Sequence, residues 1–180
     1  DLFDYTRYDR NKVKIKKEIL DLNLFVPQLV DEFYPSFMDH QLECRTDFYE
    51  GALNIEGNGE LLARAISNLI SNAIKFSHKD TVVMVHVKVQ DITNENATGE
   101  GNGKEVLVTV SDKGCGIKKE DQGKLLNEAT HFTTFGTNSE EGSGLGLLLC
   151  KDFVSKNHGR LWFTSEEGVG SNFNFTIPIK

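Results

Sequence analysis

Residues 68–76 are Asn-Leu-Ile-Ser-Asn-Ala-Ile-Lys-Phe, and the architecture of this 180-residue chain follows from them. They end a run from Glu60 in which apolar residues recur every three or four positions, which predicts a long helix packed against a core. Asn68, Asn72 and Lys75 are spaced i, i+4 and i+7, so they form a polar stripe along this apolar helix. Amide oxygens suit a hard cation such as Mg²⁺, and an ammonium group suits phosphate oxygens. The alternative is a solvated helix face.

Outside this helix, apolar periodicity alternates between strand and helix patterns, which predicts a mixed layered fold. Two more helices are predicted, one over Leu22–Phe37, with Asn23 as its cap and Pro27 in its first turn, and one over Leu145–Val154. The predicted strands are Val13–Leu20, Leu42–Phe48, Ala52–Ile55, Val82–Val89, Val106–Val110, Gly159–Ser165 and Asn172–Ile179.

Charge and cysteine usage exclude several classes of protein. Twenty basic and 27 acidic side chains give a net charge of −7. This excludes a general nucleic-acid surface and an anionic-membrane surface, but it allows a local site for a small anion. Cys44, Cys115 and Cys150 are widely spaced, so we expect free thiols rather than a disulfide framework or a zinc ribbon. No signal peptide or membrane-length apolar run is present, and we expect an excerpt from a longer cytoplasmic polypeptide.

Three glycine-bearing segments accompany the helical stripe. Asp112-Lys-Gly-Cys-Gly-Ile117 follows a predicted strand, and places a carboxylate where backbone can approach a flat ligand. Gly142-Ser-Gly-Leu-Gly-Leu147 opens a helix, so its amides form an anion site at the positive end of the dipole. Residues 168–171, Gly-Val-Gly-Ser, precede the last strand. Neither the dinucleotide-binding GxGxxG nor a P-loop is present. Each segment alone indicates only a turn.

In this order and spacing, the segments resemble the catalytic, ATP-binding domain of sensor histidine kinases, in the GHKL superfamily shared with gyrase, MutL and the ninety-kilodalton heat-shock chaperones. NLISNAIKFS is similar to the N box, DKGCGI to the G1 box, GSGLGLLLCKDFV to the G2 box and EGVGSNFNFTIP to the closing turn and strand. The resemblance covers about residues 12–180, and residues 1–11 resemble the end of the preceding dimerisation hairpin. It implies an α+β two-layer sandwich, the Bergerat ATP-binding fold, in which about three helices cover one face of a mixed sheet.

The resemblance also implies a role for each site residue. Asn72 binds Mg²⁺ through its amide oxygen, Asn68 supports metal or phosphate, and Lys75 neutralises phosphate charge. Asp112 accepts a hydrogen bond from the exocyclic amine of adenine. Gly114 and Gly116 let the base approach the backbone, and residues 128–143 form a lid over ATP. The remaining expected contacts to ATP are Ile117, Phe132 and Phe135 of the F box, Gly142, Ser143, Gly144, Leu145, Gly146, Leu147 and Ser171, with Ile74 as a further apolar wall.

The function implied by the resemblance is transfer of the γ-phosphate of Mg-ATP to a histidine. That histidine belongs to a dimerisation domain absent from this chain, and a response-regulator aspartate receives the phosphate next. None of the five histidines lies at the expected phosphoacceptor position. The implied full protein is a homodimer that a membrane anchor can tether. We expect this fragment to be a monomer without direct membrane or nucleic-acid contact.

Three alternatives remain open. An independent ATPase of the gyrase type carries a general-base glutamate where this chain has Asn68, and an amide cannot take a proton from water. A nucleotide-binding module without phosphotransfer and a protein-serine kinase of the anti-sigma type share the superfamily. Two features depart from the family pattern: Lys113 stands where asparagine is usual, and no arginine lies between Lys118 and Leu145.

Overall fold

The computed structural model describes residues 16–92, 103–127 and 146–179. Within these ranges it contains seven strands and five helices. In chain order they are β1 (Glu18–Asp21), α1 (Leu22–Glu32), α2 (Tyr34–Asp39), β2 (Glu43–Asp47), β3 (Asn54–Gly57), α3 (Gly59–Phe76), β4 (Val82–Asp91), β5 (Lys104–Asp112), α4 (Lys119–Gln122), α5 (Gly146–Lys156), β6 (Arg160–Glu166) and β7 (Gly170–Ile179).

The main sheet has five strands in the order β2-β4-β5-β7-β6. Strand β2 is parallel to β4, whereas the other neighbours are antiparallel, so the sheet is mixed as predicted. Strands β1 and β3 form a separate antiparallel pair. At one end of the main sheet, Asp112 on β5 lies opposite Ser171 on β7, which in turn lies opposite Ser165 on β6. The register therefore places three polar side chains side by side on one face.

The core lies between this sheet and the helices. Alternating residues of β4 and β5 are buried, because side chains of a strand point alternately to the two faces, whereas β7 is buried continuously from Phe173 to Ile177. Helix α3 buries nine of its positions and packs against β5 and α5. Helices cover one face of the sheet, which confirms the two-layer α+β sandwich. No helix in the described ranges combines the length and the apolar character that crossing a membrane requires.

The helix predicted over Leu22–Phe37 is two helices. Helix α1 ends at Glu32, and α2 begins at Tyr34 and ends at Asp39. Pro35 explains the break, since proline lacks an N–H and its ring clashes with the carbonyl four residues earlier in a continuous helix. Phe37 is nevertheless buried, at 1% exposure, so the apolar spacing correctly identified it as a core residue.

Helix α1 begins at Leu22 as predicted, but its predicted cap, Asn23, was wrong by two residues. Asp21 is the N-cap: its Oδ1 accepts from the Asn23 N–H at 3.0 Å and from the Leu53 N–H at 3.1 Å. Pro27 therefore lies inside α1 rather than in its first turn. The Asn23 side chain instead donates to the carbonyl oxygens of Tyr49 and Gly51, in the loop between β2 and β3.

Other boundaries moved by a few residues. Strand β3 begins two residues later than predicted, and the short helix α4 was not predicted. Strand β1 occupies only the end of the predicted Val13–Leu20 segment, whose first three residues lie outside the described ranges. The domain boundary placed between residues 11 and 12 also lies outside them.

Candidate functional site

The polar stripe of α3 is present, and its three members are half-buried. Asn68 lies in the middle of the helix, and Asn72 and Lys75 lie towards its end. At 1.5 Å per residue the stripe is about 10 Å long. The Lys75 Nζ lies 5.1 Å from the centre of the Phe76 ring. The stripe thus presents amides at one end and an ammonium group at the other.

Asn68 connects α3 to the start of α5. Its Nδ2 donates to the Gly146 carbonyl at 3.4 Å, and the fully buried Cys150 lies one turn later on α5. The Cys150 thiol in turn donates to the Ala65 carbonyl at 3.2 Å. Complete burial raises the pKa of Cys150 to about 12, so the thiol keeps its proton at neutral pH. Two residues from separate predicted motifs, Asn68 and Gly146, are therefore neighbours.

Asp112 lies at the end of β5 and is only 8% exposed. Its Oδ1 accepts from the Gly114 N–H at 3.0 Å, and the Ser171 N–H is a nearby donor on the facing strand. Burial nevertheless raises the pKa of Asp112 to about 6, against the lowering effect of these two donors and of nearby His78. A carboxylate has about four lone-pair sites. At neutral pH Asp112 is therefore a buried anion with acceptor capacity left for a ligand.

The loop after Asp112 is fastened to the end of α3. The Cys115 N–H donates to the Phe76 carbonyl at 3.1 Å, and Ser77 forms an isolated bridge with Gly114. Asp112 consequently lies beside the end of α3 that carries Lys75. The sequence could not give this contact, because the two segments are separated by the whole of β4 and β5.

Two glycines in this loop have a packing reason that the sequence did not reveal. A Cβ at Gly114 would lie 1.9 Å from the Phe76 carbonyl oxygen, and one at Gly116 would lie 1.9 Å from the Glu166 carbonyl oxygen. Gly116 also has a φ of +63°. Protein backbone, rather than ligand, occupies the space that a side chain would need at both positions. Their role towards a base stays a prediction.

Ser165 and Gln122 were missed by the sequence analysis, and both hold this loop. Ser165 Oγ accepts from the Ile117 N–H at 2.9 Å, lies 2.9 Å from Ser171 Oγ and donates to the Gly170 carbonyl at 3.1 Å. Gln122 Nε2 donates to the carbonyls of Ile117 and Ser165, each at 3.0 Å. The one available signal in the sequence was the serine at the end of the predicted strand Gly159–Ser165.

The other predicted contacts divide into two groups. Ile74 is buried, and Ile117 and Leu147 pack against the core, so they are available as apolar walls. Cys115 is half-buried, and burial, with Asp112 nearby, raises its pKa. The predicted contacts that lie outside the described residues are Phe132, Phe135, Gly142, Ser143, Gly144 and Leu145, together with the predicted lid.

A groove of about 910 Å³ opens on the sheet face opposite the helices, at the Asp112 edge. Two of its basic side chains have acidic partners: Arg45 lies 2.6 Å from Glu43, and His86 lies 3.1 Å from Asp47. No group of three or more His, Cys, Asp or Glu side chains in the described ranges is placed to hold a metal ion. Any metal at the α3 stripe would therefore take amide oxygens from this part of the protein.

The chain is similar to known proteins in both sequence and structure. The family described as histidine kinase-, DNA gyrase B-, and HSP90-like ATPase matches residues 57–180. The sensor protein kinase WalK of Staphylococcus aureus is 27% identical over 180 residues, which is 100% of this chain and 40% of that relative. The chain thus spans less than half the length of this relative.

Two solved structures share the fold. The mycobacterial sensor histidine kinase MprB has a TM-score of 0.69 at 21% identity, covering 91% of this chain and 97% of that one. Full-length ShkA, in complex with AMPPNP, has a TM-score of 0.74 at 17% identity, covering 98% of this chain and 34% of that one.

Proposed function

We propose, for a chain that belongs to the histidine kinase-, DNA gyrase B- and HSP90-like ATPase family, that the site between α3, β5 and α5 binds Mg-ATP and serves a sensor histidine kinase. The observation that carries the proposal is the buried, ionised Asp112 beside the Lys75 end of a half-buried amide stripe. The carboxylate that can accept a hydrogen bond from a base thus lies at one end of α3. The side chains that can hold phosphates and metal lie along the same helix.

Each residue has a role that its chemistry supports. Asp112 accepts from the exocyclic amine of adenine, and this carboxylate repels the carbonyl oxygen that guanine carries at the same position. Lys75 neutralises phosphate charge, and the Gly146 amide, at the first residue of α5, meets the phosphates. Ser171 supports base recognition beside Asp112, with which it pairs across the sheet.

The donor set fits Mg²⁺ in one position. A hard cation takes oxygen ligands and usually keeps several waters, so one protein amide together with substrate phosphates is a sufficient site. Asn72 would hold the ion through its Oδ1. When bound, the metal neutralises charge on the phosphates and orients them. Lys75 adds a positive charge one helical turn further on.

We further propose that the γ-phosphoryl group passes to a histidine on a separate dimerisation domain, and then to an aspartate of a response regulator. The similarity to a sensor protein kinase over the whole chain supports this assignment. Asn68 supports transfer rather than hydrolysis, since an amide cannot activate water as a base. Because ATP is the substrate, we propose that this domain lies in the cytoplasm. We also propose that the full protein is a homodimer, as the resemblance to sensor histidine kinases implies.

Calorimetric titration tests the binding step. Mg-ATP, Mg-GTP and ATP with EDTA are titrated into the wild-type chain, Asp112→Asn and Asn72→Ala. We expect ATP to bind more tightly than GTP, Asp112→Asn to weaken ATP binding, and Asn72→Ala to lose the Mg²⁺ dependence. Asn172→Ala is the matched control, because Asn172 is an exposed asparagine on the other sheet face. Absence of ATP binding by folded wild-type protein would refute the proposed function.

A further inference from the structure

The Ser165 hydroxyl is the centre of three hydrogen bonds at the Asp112 end of the sheet. Its Oγ accepts from the Ile117 N–H at 2.9 Å, donates to the Gly170 carbonyl at 3.1 Å and lies 2.9 Å from the Ser171 Oγ. Ser165 lies opposite Ser171 in the β6–β7 pair, and Ser171 lies opposite Asp112 in the β5–β7 pair. The Ser165 side chain is therefore one residue away from the carboxylate of the candidate site.

The direction of the hydrogen bond between the two serines follows from the number of hydrogens. A hydroxyl has one hydrogen and two lone pairs. The Gly170 carbonyl can only accept, so it takes the hydrogen of Ser165. The Ile117 N–H can only donate, so it occupies one lone pair of Ser165. The second lone pair is left for Ser171, whose hydroxyl must therefore be the donor.

The opposite direction would be unfavourable. If Ser165 donated to Ser171, its oxygen and the Gly170 carbonyl oxygen would be two acceptors facing each other at 3.1 Å. A donor–acceptor contact would be lost, and buried acceptors without a donor are costly. The assignment depends on two backbone groups whose roles are fixed, whereas a hydroxyl hydrogen rotates to suit its neighbours.

Ser171 consequently offers only lone pairs to a ligand. Ser171 is 6% exposed and Asp112 is 8% exposed, so water has little access to either residue. Residues directly opposite in an antiparallel pair have Cβ atoms about 4.5–5.5 Å apart, which lets one ligand group contact both. Two neighbouring buried acceptors favour a group with two N–H hydrogens, such as the exocyclic amine of adenine. They disfavour a carbonyl oxygen at the same position.

We propose that Ser165 is a positioning residue for base recognition, which takes the hydrogen of the Ser171 hydroxyl and so makes Ser171 a second acceptor beside Asp112. This inference rests on the proposed function and deepens it, because recognition then depends on both hydrogens of the exocyclic amine. Ser165 also holds the Ile117 N–H, and thereby the loop that follows Asp112. The two effects can be separated by substitution.

Four substitutions separate the direction of the hydroxyl from the hold on the loop. Ser165→Ala removes the acceptor for Ser171 and for Ile117, so the Ser171 hydroxyl is free to rotate. Ser165→Thr keeps the hydroxyl and adds a methyl group on the edge strand of the sheet. Gln122→Ala loosens the same loop and leaves Ser171 untouched, since Gln122 Nε2 donates to the Ile117 and Ser165 carbonyls. Thr164→Val removes an exposed hydroxyl from the other face of β6 and is the matched control.

The first test measures the affinities for Mg-ATP and Mg-ITP by calorimetry and takes their ratio. ITP carries a carbonyl oxygen where ATP carries the exocyclic amine. In Ser165→Ala we expect the preference for ATP to fall about 2- to 10-fold, the effect of one hydrogen bond, because the freed Ser171 hydroxyl can donate to that oxygen. Ser165→Thr and Thr164→Val should keep the wild-type ratio. Gln122→Ala should weaken the binding of both nucleotides equally.

The ratio distinguishes a positioning role from loop packing. An unchanged ratio in Ser165→Ala, while ATP still binds, would overturn the inference and leave the proposed function standing. An equal fall of the ratio in Gln122→Ala would also overturn it, since the loop alone would then set the preference. Adding Ser165→Ala to Ser171→Ala should leave the ratio of the single Ser171→Ala variant. A further fall in the double variant would contradict a role through Ser171.

The second test needs no nucleotide and measures hydrogen exchange of the Ile117 amide in ¹⁵N spectra. The amide of Val108, a buried residue of β5, is the internal reference for global unfolding. Relative to Val108, we expect Ile117 to be protected in wild type and in Ser165→Thr, and to exchange faster in Ser165→Ala. Equal exchange in wild type and Ser165→Ala would overturn the inference, even if ATP binds. A protected Ile117 amide in a folded chain that binds neither nucleotide would refute the proposed function, and with it the role of Ser165 in base recognition.

Discussion

Asp112 shows how a buried carboxylate in a candidate binding site affects stability when no ligand is bound. Its folded-state pKa, about 6, lies above the ordinary value of 3.8 because burial disfavours the anion. Folding therefore takes up a proton between about pH 4 and pH 6, and the cost of the buried anion is absent below this window. The free-energy cost of burying the anion increases from about pH 4 to about pH 6, and it is constant at higher pH.

Asp112→Asn removes that cost. Two pKa units at 1.36 kcal/mol each predict that the variant is more stable than wild type by up to about 3 kcal/mol above pH 6.5. The gain should disappear towards pH 4. Urea unfolding of both proteins from pH 4 to pH 8 measures it. A difference that does not vary with pH would mean that the carboxylate is not the source.

The same substitution should weaken ATP binding. A hydrogen bond to a charged acceptor contributes about 1.5–3 kcal/mol, so we expect about a 10- to 100-fold loss of ATP affinity. The wild-type affinity should also fall as Asp112 is protonated below about pH 6, by more than in Asp112→Asn. Comparing the two proteins by calorimetry removes the contribution from protonation of ATP itself. Parallel pH profiles would argue against direct contact between Asp112 and the base.

At the scale of elements, the contact between the end of α3 and the loop after β5 positions the candidate site. A substitution at Gly114 tests this contact. In Gly114→Ala the new Cβ would lie 1.9 Å from the Phe76 carbonyl oxygen, which is backbone and cannot turn aside. We expect at least about 3 kcal/mol of destabilisation, at the upper end for overpacking. Gly123→Ala is the control: its φ is −66° and no atom lies within 4 Å of the new Cβ. Its unfolding free energy should stay within about 0.5 kcal/mol of wild type.

A second set of hydrogen bonds connects α3 and α5 at the ends of these helices that lie away from the candidate site. Asn157, after α5 and 1% exposed, accepts from the Asn58 N–H at 2.7 Å through Oδ1. Asn58 is the N-cap of α3 and accepts from the Leu61 N–H at 2.9 Å. Asn157 also donates to the Phe153 carbonyl at 2.9 Å. The N-terminus of α3 is thus held to the C-terminus of α5.

Asn157→Ala would leave the Asn58 N–H without this acceptor. We expect a loss of about 1–3 kcal/mol in unfolding free energy, the cost of an orphaned buried polar group. ATP affinity should stay within about 2-fold of wild type, since the proposed ligands lie on other turns of both helices. The exposed Ser155 on α5 provides the control substitution Ser155→Ala. A large loss of ATP affinity in an Asn157→Ala variant as stable as wild type would show that these hydrogen bonds also affect the candidate site.

The elements that the sequence predicted well are those with long periodic patterns. Helix α3 begins one residue before its predicted start, and β4 and β5 include the whole of the predicted strands Val82–Val89 and Val106–Val110. Local sequence patterns could not predict contacts between distant segments, such as Gly114 with Phe76 or Asn68 with Gly146. Apolar spacing alone also predicts one helix up to Phe37, whereas the backbone restriction imposed by Pro35 divides it into two. Residue types at the site were therefore predictable, whereas what holds them in place was not.

At the scale of the whole molecule, the chemistry of position 68 separates a kinase domain from an independent ATPase. Water attack on ATP needs a base near the γ-phosphate. The Asn68 amide has no basic group, and its Nδ2 donates to the Gly146 carbonyl on α5. A histidine supplied by another domain brings its own nucleophilic nitrogen, so positioning and charge neutralisation suffice for transfer. The site should then be nearly inactive alone and active towards a histidine partner.

Incubation with γ-labelled ATP tests this expectation. The chain alone should release no more labelled phosphate than Asn72→Ala. Mixed with a dimeric helical hairpin that carries a phosphoacceptor histidine, the wild-type chain should label the hairpin in an acid-labile form, as expected of phosphohistidine, and Asn72→Ala should not. Replacing the hairpin histidine by alanine is the acceptor control. Steady phosphate release by the chain alone, lost in Asn72→Ala, would instead favour the ATPase alternative. It would also require a base other than residue 68, because an amide at that position cannot accept the proton of the attacking water.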